Sequence, residues 1–266
     1  MHSTVTFPAE MASTGAGTAT GRWLAFDTST ERMSIAVCDG ERLWQHESAG
    51  AALTSTNLIP ALMQLLDVAG LRLSQLDAIA FGRGPGSFTG LRTACAVAQG
   101  LALGAGVPVL PVDTLAALAE EARFQWLKMQ PQSALPRQLS AMLDARMNEI
   151  YVQHFRLNGN AYQPLAACTL VPPQGLAQAW RSNACRLLTG NVFEVYADRL
   201  PALPSGSTVL PALPTAAAML RLAPALIAAG AARPPEQALP LYVRDKVAQT
   251  TDERAQVQRA ALAAAK

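Results

Sequence analysis

The sequence predicts an α/β protein of two lobes, the first running strand–strand–strand–helix–strand–helix–strand–helix. Three observations carry this. Short apolar runs alternate with helical patterns from Trp23 to Trp126. A polar stretch with two prolines, Gln130 to Arg137, interrupts them, and a second strand–tight turn–strand pattern opens at Leu139. Half of the 266 residues are hydrophobic and 15% are charged, which permits a large core and excludes wholesale disorder.

Taken in order, residues 1–21 are rich in Ser, Thr, Gly and Ala, with no basic start and no apolar h-region; they read as a disordered extension and not as a signal peptide. The first lobe is placed at 22–129. Trp23 to Phe26 is a short buried strand that ends at Asp27-Thr28-Ser29-Thr30. Met33 to Cys38 alternates as a second strand, Asp39-Gly40 is a hairpin turn, and Arg42 to His46 makes the third. The helix Asn57 to Ala69 carries a stripe of Leu58, Leu62, Leu65 and Ala69 flanked by Ile59, Met63 and Leu66. That stripe is wider than one core contact needs, which fits either a deeply buried helix or a second surface for a partner.

An apolar run, Leu76 to Phe81, then leads into Gly82-Arg83-Gly84-Pro85-Gly86-Ser87-Phe88-Thr89-Gly90-Leu91-Arg92, and a small-residue helix follows. Pro85-Gly86 suits the centre of a type II turn with positive φ at Gly86. Ser87 or Thr89 can cap the helix, and Arg92 puts a cation in its first turn, where the dipole disfavours it, so an acidic or anionic partner is expected, with Asp27 a candidate. Neither the Walker pattern nor Gly-x-Gly-x-x-Gly fits. From glycine content alone the loop is either an anion site or a tight turn that packs helix close to strand. On the helix, Ala94, Ala98 and Ala102 form one small-residue row and Ala96, Gly100 and Gly104 another. A strand, Val107 to Val112, and a helix, Thr114 to Trp126, with Glu120 and Glu121 on its wet side, complete the lobe.

The second lobe is placed at 138–248. Leu139 to Arg146 and Glu149 to Phe155 read as strands around a tight turn. Beyond them the pattern fades to a strand near Arg186 to Leu188, a proline-rich passage, an Ala/Leu helix from Thr215 to Ala231, and a short extended piece, Pro240 to Arg244. Residues 249–266 are expected to form a mobile tail.

Several function classes are disfavoured. A net charge of +2 gives no footprint for nucleic acid. Cys38, Cys95, Cys168 and Cys185 lack Cys-x-x-Cys spacing and read as buried small hydrophobes in a reducing compartment. The uncharged run Thr93 to Val112 breaks at glycines and prolines into helix and strand, not into a membrane span. His2, His46 and His154 are scattered, so no metal site and no nucleophile–base pair is expected.

Leu24 to Thr30 and Gly82 to Arg92 together resemble the TsaB family, accessory subunits of the bacterial machinery that makes N6-threonylcarbamoyladenosine at position 37 of tRNA. Asp144-Ala145-Arg146-Met147-Asn148-Glu149-Ile150-Tyr151 and Pro240-Leu241-Tyr242-Val243-Arg244 resemble that family's later motifs, in the same order. The resemblance implies an actin-like, Hsp70-like and sugar-kinase-like (ASKHA) fold of two βββαβα-type lobes, the second degenerate. Asp27, Thr28, Arg83, Gly84, Gly86, Ser87, Thr89 and Arg92 would line its phosphate loops. A second Asp-x-Gly loop and a Gly-Gly adenosine motif are missing, so no intrinsic cofactor is expected, and ATP or ADP only at a surface shared with partner subunits. The catalytic relative TsaD holds its metal through His-x-x-x-His, where this chain has Thr114 and Leu118.

The resemblance therefore implies a cytoplasmic, non-catalytic subunit that binds and activates the TsaD-type transferase. A TsaE-type ATPase and a second copy of the chain are further partners, with tRNA reached only through the complex. The family pairs through its first two helices, which carries partner contact onto Leu58, Ile59, Leu62, Met63, Leu66, Ala94, Val97, Ala98 and Leu101. The alternatives are an ASKHA-type small-molecule kinase or nucleotide-binding enzyme using Asp27, and a peptidase acting on the partner.

Overall fold

The computed structural model describes residues 4–10, 21–40, 42–50 and 54–244. Among the described residues twelve strands form two sheets, packed with six α-helices. The first sheet takes β1 (Thr4–Glu10), β2 (Arg22–Asp27), β3 (Arg32–Asp39), β4 (Arg42–Ala49), β5 (Ala78–Gly84) and β6 (Val109–Asp113), in the order β1-β4-β3-β2-β5-β6. Its helices are α1 (Thr54–Ala69), α2 (Phe88–Ala105) and α3 (Thr114–Met129). The second sheet takes β7 (Gln138–Asp144), β8 (Ile150–Asn158), β9 (Ala161–Pro164), β10 (Thr169–Val171), β11 (Leu187–Gly190) and β12 (Thr208–Leu210), in the order β10-β8-β7-β11-β12 with β9 also paired to β8. The remaining helices are α4 (Leu176–Asn183), α5 (Val192–Val195) and α6 (Ala216–Ala228).

The two sheets repeat one plan. In the first, β2 pairs antiparallel with β3 and parallel with β5; in the second, β7 pairs antiparallel with β8 and parallel with β11. With β1 and β9 set aside, both read third–second–first–fourth–fifth. This is the ASKHA arrangement that the resemblance implies. Thr4–Glu10 departs from expectation: where an unstructured extension was read, the backbone pairs antiparallel with β4. The expected C-terminal tail, 249–266, lies outside the described residues.

β2, β3 and β5 are apolar on both faces because both are covered. Their alternation sorts by size. Leu24, Phe26, Ile35, Val37, Ile79 and Phe81 meet α1 and α2, while Ala25, Ala36, Ala78 and Ala80 point to the other face and meet α6. Alanines on the sheet and Ala216, Ala217, Ala218 and Ala223 on the helix leave little side chain between them, so α6 lies close against the strands. Thr215 caps α6 by accepting from Ala218 N at 3.1 Å, and Ala216 N donates to Ser34 Oγ at 2.9 Å. A helix read within the second lobe thus belongs, by packing, to the first sheet.

α3 covers the second sheet with Leu115, Leu118, Ala122 and Trp126, and α4 closes that sheet's far face with Leu176 and Trp180. Between α3 and α6 lies a buried ionic joint. Glu120 receives both Arg123 (2.6 Å and 2.8 Å) and Arg221 (2.9 Å), while Arg221 also reaches Glu121 at 2.7 Å. Thr215 Oγ1 and Gln125 Nε2 donate to the Glu121 carboxylate as well. The expectation of a wet Glu120 and Glu121 is therefore corrected: both are buried, because the partner arginine comes from a helix about a hundred residues away in sequence. Among the described residues no helix is long and apolar enough to cross a membrane.

Candidate functional site

Asp27 ends β2 in a turn that folds over its own carboxylate. Its Oδ1 accepts Ser29 N at 2.9 Å and Ser29 Oγ at 2.6 Å, the short local bonding typical of Asp in turns. The residue is fully buried; burial pushes its carboxyl pKa up, and the Ser29 bonds pull it part of the way back. Oδ2 lacks a full hydrogen bond, with the buried Thr114 hydroxyl beside it but outside hydrogen-bond geometry.

The glycine loop lies directly on this turn, and its glycines are explained by that contact. A Cβ on Gly82 would fall on Asp27 Oδ2, one on Gly90 would fall on the Thr28 carbonyl, and one on Gly86 would come within 2.6 Å of Ser29. Ser87 N donates to Ser29 O at 2.7 Å, and Thr28 Oγ1 to Gly90 O at 2.8 Å. The expected type II turn is corrected: positive φ falls on Gly84 (+119°) and not on Gly86, and the Gly84–Pro85 peptide is cis. Gly84 needs that conformation and has no room for a Cβ, since the Leu241 carbonyl lies 2.7 Å from where it would sit. Ser87 is the N-cap of α2, accepting from Gly90 N, while Thr89 lies within the first turn.

The two arginines of the loop find separate partners, and that of Arg92 differs from the one expected. Arg83 pairs with Asp113 at the end of β6. Arg92 does not meet Asp27. Its guanidinium lies 3.8 Å over the Phe88 ring and its Nε donates to Tyr242 Oη at 3.1 Å. Aromatic faces stabilise the cation where a carboxylate was anticipated.

Between the lobes is a cleft of about 300 Å³. The first lobe contributes Ser29, Thr30 and Gly86–Phe88, and the second contributes Asp144–Met147, Tyr151 and Asn191. Asp27, Thr28 and Arg83 do not line it; of the residues expected in phosphate loops, Gly86 and Ser87 do. The turn Asp144–Glu149 has three consecutive left-handed residues, Arg146, Met147 and Asn148, with φ of 60°, 53° and 60°.

On the outer face of the first lobe the two small-residue rows of α2 separate. Ala94, Ala98 and Ala102 are buried against the sheet, whereas Ala96, Gly100 and Gly104 are exposed, and a Cβ on Gly100 or Gly104 would meet no atom within 4 Å. The nine residues expected at a partner surface divide the same way. Leu58, Leu62, Leu66, Ala94 and Ala98 are fully committed to the chain's own core, which corrects their assignment to partner contact. Ile59 (46% exposed) and Met63 (45%) project from α1, and Val97 and Leu101 are half-buried on α2. Leu103, 72% exposed at the end of α2, was missed because it stands alone in the sequence pattern.

The two histidines among the described residues lie apart, His46 on β4 of the first sheet and His154 on β8 of the second. Cys185 Sγ lies 3.4 Å from His154 Nδ1, a contact invisible in the sequence. Burial pushes the thiol up to about 12 and the imidazole down, so both are neutral. A nucleophilic cysteine requires the opposite shift. Thr114 and Leu118 are buried, Leu118 within the core under the second sheet. Among the described residues no three His, Cys, Asp or Glu side chains cluster as metal ligands.

Comparison with known proteins agrees with this geometry. A family model for tRNA N6-adenosine threonylcarbamoyltransferase (TsaD) matches residues 51–179. The tRNA threonylcarbamoyladenosine biosynthesis protein TsaB of Haemophilus influenzae is 38% identical over 177 residues, covering 63% of this chain and 71% of the relative. Its namesake from Escherichia coli K12 is 32% identical over 233 residues, covering 85% and 96%. The solved structure of YeaZ from Pseudomonas aeruginosa superposes with a TM-score of 0.71 at 36% identity, covering 84% of this chain and 99% of that one. With the repeated sheet order and the glycine loop packed on Asp27, these likenesses establish that the chain belongs to the TsaB family of tRNA threonylcarbamoyladenosine biosynthesis proteins.

Proposed function

We propose that the chain is a non-catalytic subunit that docks a TsaD-type transferase through α1 and α2 and supports threonylcarbamoyl transfer to A37 of tRNA. The observation that carries this is the outer face of the first lobe. Ile59 and Met63 project from α1, Val97 and Leu101 are half-buried on the adjoining α2, and the open row of Ala96, Gly100 and Gly104 leaves backbone accessible to another helix. Exposed apolar groups gathered beside small residues on a folded lobe mark an interaction surface. The same face serves for self-pairing when the transferase is absent, and a TsaE-type ATPase joins the assembly. ATP or ADP binds only where subunits meet, and the work is cytoplasmic.

The non-catalytic reading is supported by the chemistry of the interior. The positions matching a metal-binding motif hold Thr114 and Leu118, both buried, and the Cys185–His154 contact is neutral. A kinase reading would need Asp27 free to face a phosphate; here its carboxylate is occupied by Ser29 and roofed by Gly82.

Two measurements test the proposal. Co-elution of the full chain with a TsaD-type partner should be lost in Met63→Glu, which places a charge on the docking face without touching the core. Incubated alone with tRNA and threonylcarbamoyl adenylate, the chain should give no modified adenosine. Turnover by the chain alone, or unchanged co-elution of Met63→Glu, would contradict it.

A further inference from the structure

The segment Pro240–Arg244 passes in five residues from one lobe to the other across the cleft mouth, and each residue but the first is attached. Leu241 N donates to the Arg83 carbonyl at 2.7 Å, and the Leu241 carbonyl sits against Gly84. Tyr242 stacks on Phe88 with centroids 5.3 Å apart and takes the Arg92 hydrogen bond, so it is fixed to the first turn of α2 from two sides. Val243 joins the second lobe's core. Arg244 then holds the left-handed turn, reaching the carbonyls of Ala145 (3.2 Å) and Arg146 (3.4 Å), Met147 Sδ (3.1 Å) and the Glu149 carboxylate.

The turn it grips is held against its own backbone preference. Three successive non-glycine residues in the left-handed region persist only where surroundings over-determine them. Besides Arg244, the holding groups are Asn191 Oδ1 on Asp144 N (2.9 Å), Tyr196 Oη on Asp144 Oδ1 (2.6 Å) and Arg199 on Asn148 Oδ1 (2.7 Å). All three belong to the second lobe; Arg244 alone belongs to a segment also bound to the first.

We propose that Pro240–Arg244 is a clasp that sets the opening of the interlobe cleft and links the Asp144–Glu149 turn to the first turn of α2. When the turn relaxes, Arg244 loses its carbonyl partners and Tyr242 its anchorage on Phe88; when α2 shifts, the same contacts loosen the turn. Coupling of this kind is reciprocal by thermodynamic necessity. The inference stands independently of which partner docks on α1 and α2.

Hydrogen exchange of the full chain, followed by mass spectrometry, tests the coupling from both ends. Arg244→Ala should raise exchange at least ten-fold not only at residues 145–149 but also at 88–92 and Leu241. Tyr242→Ala, made at the other end, should raise exchange at 145–149 by a similar factor. In both variants β2 and β5 should exchange as in the wild type. A rise confined to the mutated end would overturn the proposal. So would a uniform rise that includes β2 and β5, because the segment would then support the whole fold and not the cleft mouth. Should Arg244→Ala not fold, Arg244→Lys keeps the charge for Glu149, loses the planar fork that reaches two carbonyls, and is read the same way.

Discussion

The turn after the first strand of each sheet's hairpin is Asp27–Thr30 in the first lobe and Asp144–Asn148 in the second, and both begin alike. Asp27 Oδ1 accepts Ser29 N at 2.9 Å; Asp144 Oδ1 accepts Arg146 N at 2.8 Å. From there they diverge. In the first turn Asp27 and Thr28 are buried and tiled by Gly82 and Gly90, so the chain itself covers them and only Ser29 and Thr30 reach the cleft. The second has no glycine, carries three left-handed residues and exposes Arg146 and Met147 to the cleft. One copy of a repeated plan has become a packing joint against the start of α2, and the other a strained, presented turn.

The largest effect should come from the joint the two lobes share. Removing one member of a buried ion pair strands its partner, at a cost of about 3–5 kcal/mol. Arg221→Ala leaves Glu120 and Glu121 each short of a cation-borne hydrogen bond, so a fall of that size in chemical denaturation would be expected. A change under 1 kcal/mol would mean that water enters the joint.

Glycine should act with opposite signs in the two turns. Gly90→Ala sets a methyl group on the Thr28 carbonyl, and overpacking against backbone belongs at the upper end of about 1–3 kcal/mol of destabilisation. Met147→Gly relieves a left-handed residue, which for a side-chain-bearing residue costs about 1–2 kcal/mol, and adds chain entropy to the unfolded state. The net expectation is a gain of up to about 1 kcal/mol. If both glycine changes shift the melting midpoint in the same direction, the contrast between the turns is wrong.

Much of this was legible in the sequence. The element order followed from alternating runs, and the cap of α2 was narrowed to Ser87 or Thr89, of which the structure takes Ser87. What escaped depended on partners distant in sequence. Glu120 and Glu121 look like a wet helix face until Arg221 arrives from α6. The width of the α1 stripe suggested a docking surface, yet Leu58, Leu62 and Leu66 are consumed by the sheet beneath, leaving Ile59 and Met63 outside. Arg92 called for a negative partner on charge alone; Phe88, one turn before it on α2, and Tyr242, distant in sequence, hold it instead. The need for glycine at Gly84 could not be read locally, because the carbonyl that bars a side chain there belongs to Leu241, far along the chain.

A smaller expectation concerns pH. Burial raises the Asp27 carboxyl above its ordinary 3.8, so the protonated form favours the fold. That stabilisation is complete below the ordinary value and is lost as pH rises through the raised one. Asp27→Asn, which cannot ionise, should therefore show a flatter stability profile than wild type from about pH 4 upward. Parallel profiles would show that Ser29 fully compensates the buried charge.

If the outer row of α2 is a docking face while the inner row is core, one pair of variants on the same helix will separate them. Gly100→Leu fills open space and replaces a poor helix former, so the isolated chain should melt as wild type or up to about 1 kcal/mol more stably. Ala98→Leu forces extra volume into a closed core and should lose about 1–3 kcal/mol. Light scattering of each variant mixed with the TsaD-type partner is the measurement. The account predicts that Gly100→Leu, the more stable protein, fails to form the complex, while Ala98→Leu, below its melting temperature, still forms it. A complex of wild-type mass with Gly100→Leu would contradict it.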